Sequence, residues 1–225
     1  MTLIDLTLPI HTGMPVYPGD PEVLLEPALR VAADGVNVLG VHLGSQTGTH
    51  VDAPAHLDDS LPTLDELPLE HFTGPAQVVD ARAVPARGVI GVDVFDIDLV
   101  PGSIVLIATG WSAHWGTDDY LAHPCLGPDA AQMLVDAGIR TIGIDAPSID
   151  LSEAEDLDLP AHRILCGAHA VIAENLTNLD RLLAAQSAGA SIEVSLFPLR
   201  LSGADGAPIR AVARVGGVPP GTVAR

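Results

Sequence analysis

The run Ser103-Ile-Val-Leu-Ile-Ala-Thr109 constrains this chain more than any other stretch. It is unbroken, aliphatic, closed by Gly110 and too short for a typical helix, so it reads as a buried strand. Further on, Pro128 to Ala137 reads as a helix with Gly138 just past its end. Proline near the start and glycine beyond the end follow the usual helix asymmetry. Thr141-Ile-Gly-Ile-Asp145 follows as a strand, which makes a strand–helix–strand unit.

The remaining segments fit round this unit. Leu3 to Leu8 alternates as an opening strand, and Tyr17-Pro-Gly-Asp-Pro21 is a turn cluster. Val36 to Leu43 reads as a strand running directly into a histidine-rich segment. Ala76 to Asp80, Ala170 to Ala173 and Ser191 to Phe197 read as strands, with Ile209 to Ala213 closing the sheet. Short helical stretches are expected at 64–67, 162–167 (after Pro160) and 179–185, while 90–95 suits a strand or a helix start. Strands and helices mix without an internal repeat, so the fold class is α/β. No linker marks a boundary, and 1–225 is expected to be one domain.

Hydrophobic residues make up 48% and charged residues 17% of the 225 positions, enough apolar material for a sizeable core. Aromatics are 3%, so that core must be aliphatic. The formal charge is −19, and all ten cations are Arg. Such a surface repels phosphate backbones and anionic membranes, so nucleic acid and membrane are excluded as expected partners. Cys125 and Cys166 form no close pair and read as reduced small hydrophobes. Met1 to Asp5 lacks a basic start, and no apolar run approaches the ~20 residues of a membrane span. A cytoplasmic location is expected.

Chemistry concentrates in Gln46-Thr-Gly-Thr-His50-Val-Asp52-Ala-Pro-Ala-His56. Residues i and i+2 of a strand share a face, ~6.5–7 Å apart along the chain, so His50 and Asp52 can converge on one cation. Imidazole nitrogen with carboxylate oxygen suits Zn²⁺, Mn²⁺ or Fe²⁺. Gly48 and Thr49 let the backbone pack close. Pro54 ends the ladder, so Asp52 to His56 should be a strand end or loop, with His56 facing the same pocket. A lone His-x-Asp is more often a solvated pair, and His162 or Glu174 alone would pass for a core or paired residue. His11, His71, His114, His123 and His169 read as structural or surface. No phosphate-binding loop and no Gly-x-Ser-x-Gly elbow occurs.

The segment resembles the His-x-Gly-Thr-His-x-Asp-x-Pro-x-His pattern of the cyclase family, whose members include bacterial kynurenine formamidase and isatin hydrolase. The likeness extends to Met14–Asp20, Thr109–Trp111, Gly143–Asp150, Pro160–Arg163 and Glu174–Leu179. It implies a compact α/β domain with a mixed, partly barrel-like sheet flanked by helices, of the swivelling β/β/α type. It implies His50, Asp52, His162 and Glu174 as metal ligands, His56 as general acid/base and Tyr17 as a substrate contact. One or two ions, Zn²⁺ or Mn²⁺, are expected. Gln46 stands where the family places a ligating His and would bind more weakly through its carbonyl oxygen. His42, four residues earlier, is too far to replace it.

The activity implied is metal-dependent hydrolysis of a C–N amide bond in a small molecule, such as N-formylkynurenine or a related aryl formamide or cyclic amide, by a homodimer or homotetramer. The alternatives are a cyclase, dehydratase or lactone hydrolase of secondary metabolism, and a non-catalytic metal-stabilised binding protein.

Overall fold

The computed structural model describes residues 1–152 and 158–216. Its strands among these residues are β1 (Thr2–Asp5), β2 (Leu24–Leu29), β3 (Val38–His42), β4 (His50–Asp52), β5 (Thr73–Asp80), β6 (Val89–Ile90), β7 (Ile104–Ala108), β8 (Cys125–Leu126), β9 (Thr141–Ile144), β10 (Val171–Glu174), β11 (Ile192–Ser195), β12 (Gly206–Pro208) and β13 (Val212–Val215). The helices are α1 (Val31–Asp34), α2 (Pro128–Asp136), α3 (Pro160–Gly167) and α4 (Leu179–Ser187).

Nine strands form one sheet in the order β1-β13-β11-β5-β7-β9-β10-β4-β12. Its centre, β5-β7-β9-β10, is parallel and the flanks are antiparallel, so the sheet is mixed. β12 and β13 lie seven strand spacings apart in that order, about 34 Å if the sheet were flat. Only residues 209–211 join them in sequence, a reach of roughly 10–14 Å. The sheet must therefore curl until its two ends approach. A bridge from Thr7 to Leu176 and the bond from Leu6 N to Ala211 O stitch the curl.

Alternation along β7 feeds two cores. Ile104, Leu106 and Ala108 point into the curl with Val51, Val194, Ala207 and Ala213, and α4 contributes Leu179 and Leu182. Val105 and Ile107 point outward, against Ala131 and Leu134 of α2 and Leu165 of α3. A strand covered on both faces must be aliphatic throughout, which is why 103–109 reads so plainly in the sequence. Gly143 of β9 sits between these layers where a Cβ would lie 2.6 Å from Leu176 and 2.7 Å from Leu106.

Three expectations need correcting. The strand at 36–43 is β3, but it pairs with β2 in a separate ribbon, and a turn at 44–48 separates it from the histidine segment. The ribbon keeps Leu39 and Val41 exposed, so burial patterning gives no sign of it. The stretch 209–213 is not one strand; it is the corner where the chain leaves β12 and enters β13. The helix expected at 162 begins at Pro160, whose missing N–H costs nothing in the first turn. No helix among the described residues is long and apolar enough to cross a membrane.

Candidate active site

β4 lies antiparallel to β10 with His50 directly opposite Glu174. Directly opposed residues share a face, as do i and i+2 of one strand, so this register puts His50, Asp52 and Glu174 together. The approach to β4 is set locally. Gly48 holds φ +61, and Thr49 Oγ1 donates to Asn175 O at 2.6 Å while accepting Leu8 N at 2.8 Å. The chain then turns into a short 3-10 helix, Pro54–His56, which carries His56 beside the cluster.

The fourth member comes from α3. Asp150 accepts the N–H groups of Ala161 (3.0 Å) and His162 (2.9 Å), which caps the helix, and sits 2.8 Å from His162 Nδ1. One carboxylate thus satisfies orphan helix donors and fixes an imidazole. Glu174 Oε1 is held by Ile149 N at 2.7 Å, so the loop 147–150 positions both distant members.

All four side chains are buried. His50 Nε2 lies 3.4 Å from Asp52 Oδ1 and 3.5 Å from Glu174 Oε2. His162 Nε2 lies 3.8 Å from Asp52 Oδ2 and 3.4 Å from Glu174 Oε1. Each carboxylate therefore offers one oxygen towards each imidazole. His50 Nδ1 is 2.8 Å from Gly48 O. With both Nδ1 atoms donating, to Gly48 and Asp150, both Nε2 lone pairs face the carboxylates.

That arrangement fits a cation. Both Asp52 oxygens are buried with no hydrogen-bond partner, a costly state for a carboxylate unless a positive charge meets it. Two imidazole nitrogens and two carboxylates are the donor set of a borderline divalent ion. Without the ion, protons take its place. Burial opposes charge on His50, yet the Asp52 and Glu174 carboxylates prevail and raise its pKa to about 10. His162 is likewise raised well above the usual histidine value, against its burial, by Asp150, Asp52 and Glu174. Burial pushes the Asp52 carboxyl up, but the His50 charge brings it below its ordinary value.

His56 stands apart. Its ring centroid is 5.9 Å from that of His162, and it is partly exposed. Its Nδ1 lies 3.2 Å from Asp205 Oδ2, and Gln46 Nε2 donates to the same oxygen at 2.9 Å. Gln46 Nε2 is also 3.0 Å from His56 Nδ1. Both nitrogens can donate to Asp205, which puts the His56 proton on Nδ1; in the other tautomer Gln46 Nε2 would donate to an unprotonated Nδ1. Gln46 therefore spends its amide nitrogen on Asp205, while its carbonyl oxygen is buried with no hydrogen-bond partner. Burial raises the Asp205 carboxyl, but bonds from His56, Ser45 and Gln46 hold it below its ordinary value.

Above the cluster opens a cavity of about 610 Å³, lined by Tyr17, Asp20, His56, Trp115, Asp118 and Leu159 among others. Tyr17 thus reaches the cavity, its hydroxyl 3.5 Å from Ser152 O. Trp111, which does not line the cavity, packs on His114, with its indole N–H donating to Tyr120 O. Sequence reading missed Asp205, whose Asp-Gly step reads only as a turn, and Asp20, which looked like turn chemistry. Within the stretch Gly143–Asp150, Asp150 holds His162, whereas Asp145 ties down Thr109 and Gly110.

A family model described as "Putative cyclase" matches residues 4–151. The chain belongs to the cyclase family. Among curated relatives of this cyclase-family chain, a kynurenine formamidase from Salinibacter ruber is 36% identical, covering 95% of this chain and 98% of its own length. Another from Bordetella petrii is 31% identical, covering 94% and 97%. Among solved structures, isatin hydrolase A from Labrenzia aggregata, bound to benzyl benzoate, superposes with a TM-score of 0.84 at 26% identity over 96% of this chain and 94% of that one. A "predicted metal-dependent hydrolase" from Bacillus stearothermophilus gives a TM-score of 0.76 at 29% identity, covering 94% and 97%. The fold of the cyclase family accordingly extends over nearly the whole chain.

Proposed function

We propose that this cyclase-family chain is a metal-dependent hydrolase of a C–N amide bond and that its substrate is an aryl formamide of the N-formylkynurenine type. The observation that carries the reading is the buried convergence of His50, Asp52, His162 and Glu174, with both Asp52 oxygens unpartnered, at the floor of a cavity that His56 also faces. The names of the relatives, kynurenine formamidase and isatin hydrolase, support an amide as the bond attacked.

His50, Asp52, His162 and Glu174 would hold the ion, Zn²⁺ or Mn²⁺. Because each carboxylate offers one oxygen to each imidazole, the set has a place for one ion or for two. When bound, a divalent cation there supplies Lewis acidity, polarising a carbonyl and making water acidic enough to ionise near neutral pH. The protein does the rest. With Nδ1–H donated to Asp205, His56 keeps its Nε2 lone pair free to take a proton from the attacking water. Asp205 steadies the imidazolium that results. His56 then returns the proton to the departing nitrogen, so that an amine leaves in place of an amide anion. The cavity wall of Tyr17, Trp115 and Leu159 suits an aromatic ring.

The test is metal analysis of protein purified without added metal, run beside an N-formylkynurenine assay. Stoichiometric metal with release of formate and the aryl amine is expected. Bound metal with no turnover of any formamide or cyclic amide would end the amide reading.

A further inference from the structure

The cavity is one-sided in charge. Four carboxylates line it: Asp52 and Glu174 on its floor, and Asp20 and Asp118 elsewhere in its lining. No Arg lines it, and the chain has no Lys at all. Residues 153–157 contain no cation either, and Arg225 is the one Arg outside the described residues. The ion or ions at the floor answer Asp52 and Glu174, and Asp20 and Asp118, outside that set, act on the outer part of a substrate.

Asp20 is placed for that purpose. It closes the turn Tyr17-Pro18-Gly19-Asp20, with its N–H on Tyr17 O at 3.0 Å and Gly19 at φ +101, a backbone that favours glycine. Its half-buried carboxylate makes no hydrogen bond or ion pair with a described residue, although it lies within electrostatic reach of His50 and His56. Asp118 is exposed on the short helical segment Asp118–Ala122. Neither carboxylate belongs to the cluster or to the His56–Asp205 pair.

We propose that this site selects among amide substrates by charge, taking aryl formamides whose side chain ends in an ammonium group and disfavouring those that end in a carboxylate, with Asp20 and Asp118 as the specificity-determining residues. The inference rests on the amide-hydrolase reading and adds the substrate's charge to it. An ammonium entering the cavity meets uncompensated negative charge, whereas a carboxylate finds no Arg or Lys and only like charges.

Three 2-formamidophenyl ketones test this on the metal-loaded enzyme, with side chains ending in an ammonium, in an ammonium and a carboxylate, or in a carboxylate alone. The expected order of kcat/KM follows that sequence, with about tenfold between the extremes at low salt, since a partly exposed charge contact is worth up to several-fold. The gap should shrink in 1 M salt, where screening reaches ~3 Å, and in D20N and D118N. Calorimetric binding of the three matching free anilines should give the same order without any turnover. If the anionic formamide is turned over as well as the cationic one, and D20N shifts all three alike, charge selection is overturned. If no formamide is hydrolysed but the anilines bind in the expected order, the hydrolase reading falls and charge selection stands.

Discussion

The imidazole Nδ1 of His56 lies 3.2 Å from the carboxylate of Asp205, a residue 149 positions away that immediately precedes β12, the strand bordering β4 on its other side. A carboxylate beside Nδ1 favours the proton on that nitrogen and so leaves Nε2 unprotonated. Asp205→Asn should retain metal and fold while kcat falls by about ten- to a hundredfold, with KM little changed, by analogy with partners that orient ligating histidines. The ¹⁵N shifts of the neutral His56 ring should report a changed tautomer balance. An unaltered kcat and tautomer would remove Asp205 from the mechanism.

Removing His56 and removing Asp52 should separate chemistry from metal. His56→Ala is expected to keep its metal and lose about 10²- to 10⁴-fold in kcat, the usual worth of a positioned acid/base. Asp52→Ala should lose the metal. Because an ion bound only to the folded state stabilises it by mass action, a chelator should lower the Tm of the unmodified protein and leave that of Asp52→Ala almost unmoved. Full metal content in Asp52→Ala would rule out its place as a ligand.

Metal uptake should release protons. In the metal-free protein His50 has its pKa raised to about 10, and His162 is raised too, so both rings are charged at neutral pH. The His50 contribution to metal-free stability is fully present below ~6.5, the unfolded value, and is lost as pH rises through about 10, and the raised His162 acts in the same direction. A ligating Nε2 must be unprotonated, so affinity should climb across that same window. Calorimetric titration at pH 7 in buffers of different ionisation enthalpy should show proton release. A binding enthalpy independent of buffer would contradict it.

Gly143 should tolerate no side chain cheaply. A Cβ there would lie 2.6 Å from Leu176 Cδ1 and 2.7 Å from Leu106 Cδ2. Gly143→Ala is expected to cost about 1–3 kcal/mol, the range for overpacked cores. Chemical denaturation measures it; unchanged stability would mean that both leucines have room to rotate away.

Several features were legible because their signals are local. The aliphatic run of β7, the proline and glycine bounding α2, and the close spacing of His50, Asp52 and His56 each lie within one short stretch. The strand β3 was legible too, but β2 and its pairing with β3 were not, since the ribbon's exposed apolar residues give no one-sided burial pattern. Resemblance pointed to His162 and Glu174; residue types alone gave no reason to prefer them over other buried polar groups.

By itself, then, the sequence determined an aliphatic α/β sheet, a chain without lysine and a histidine–aspartate strand able to bind a cation. Tertiary structure decided the rest. The register of β4 against β10 sets Glu174 opposite His50, Asp150 turns the ring of His162 inward, and the pairing of β12 with β4 brings Asp205 to His56. Those relationships depend on strand pairing between distant segments, and pairing is chosen by the whole core rather than by any residue's neighbours in sequence.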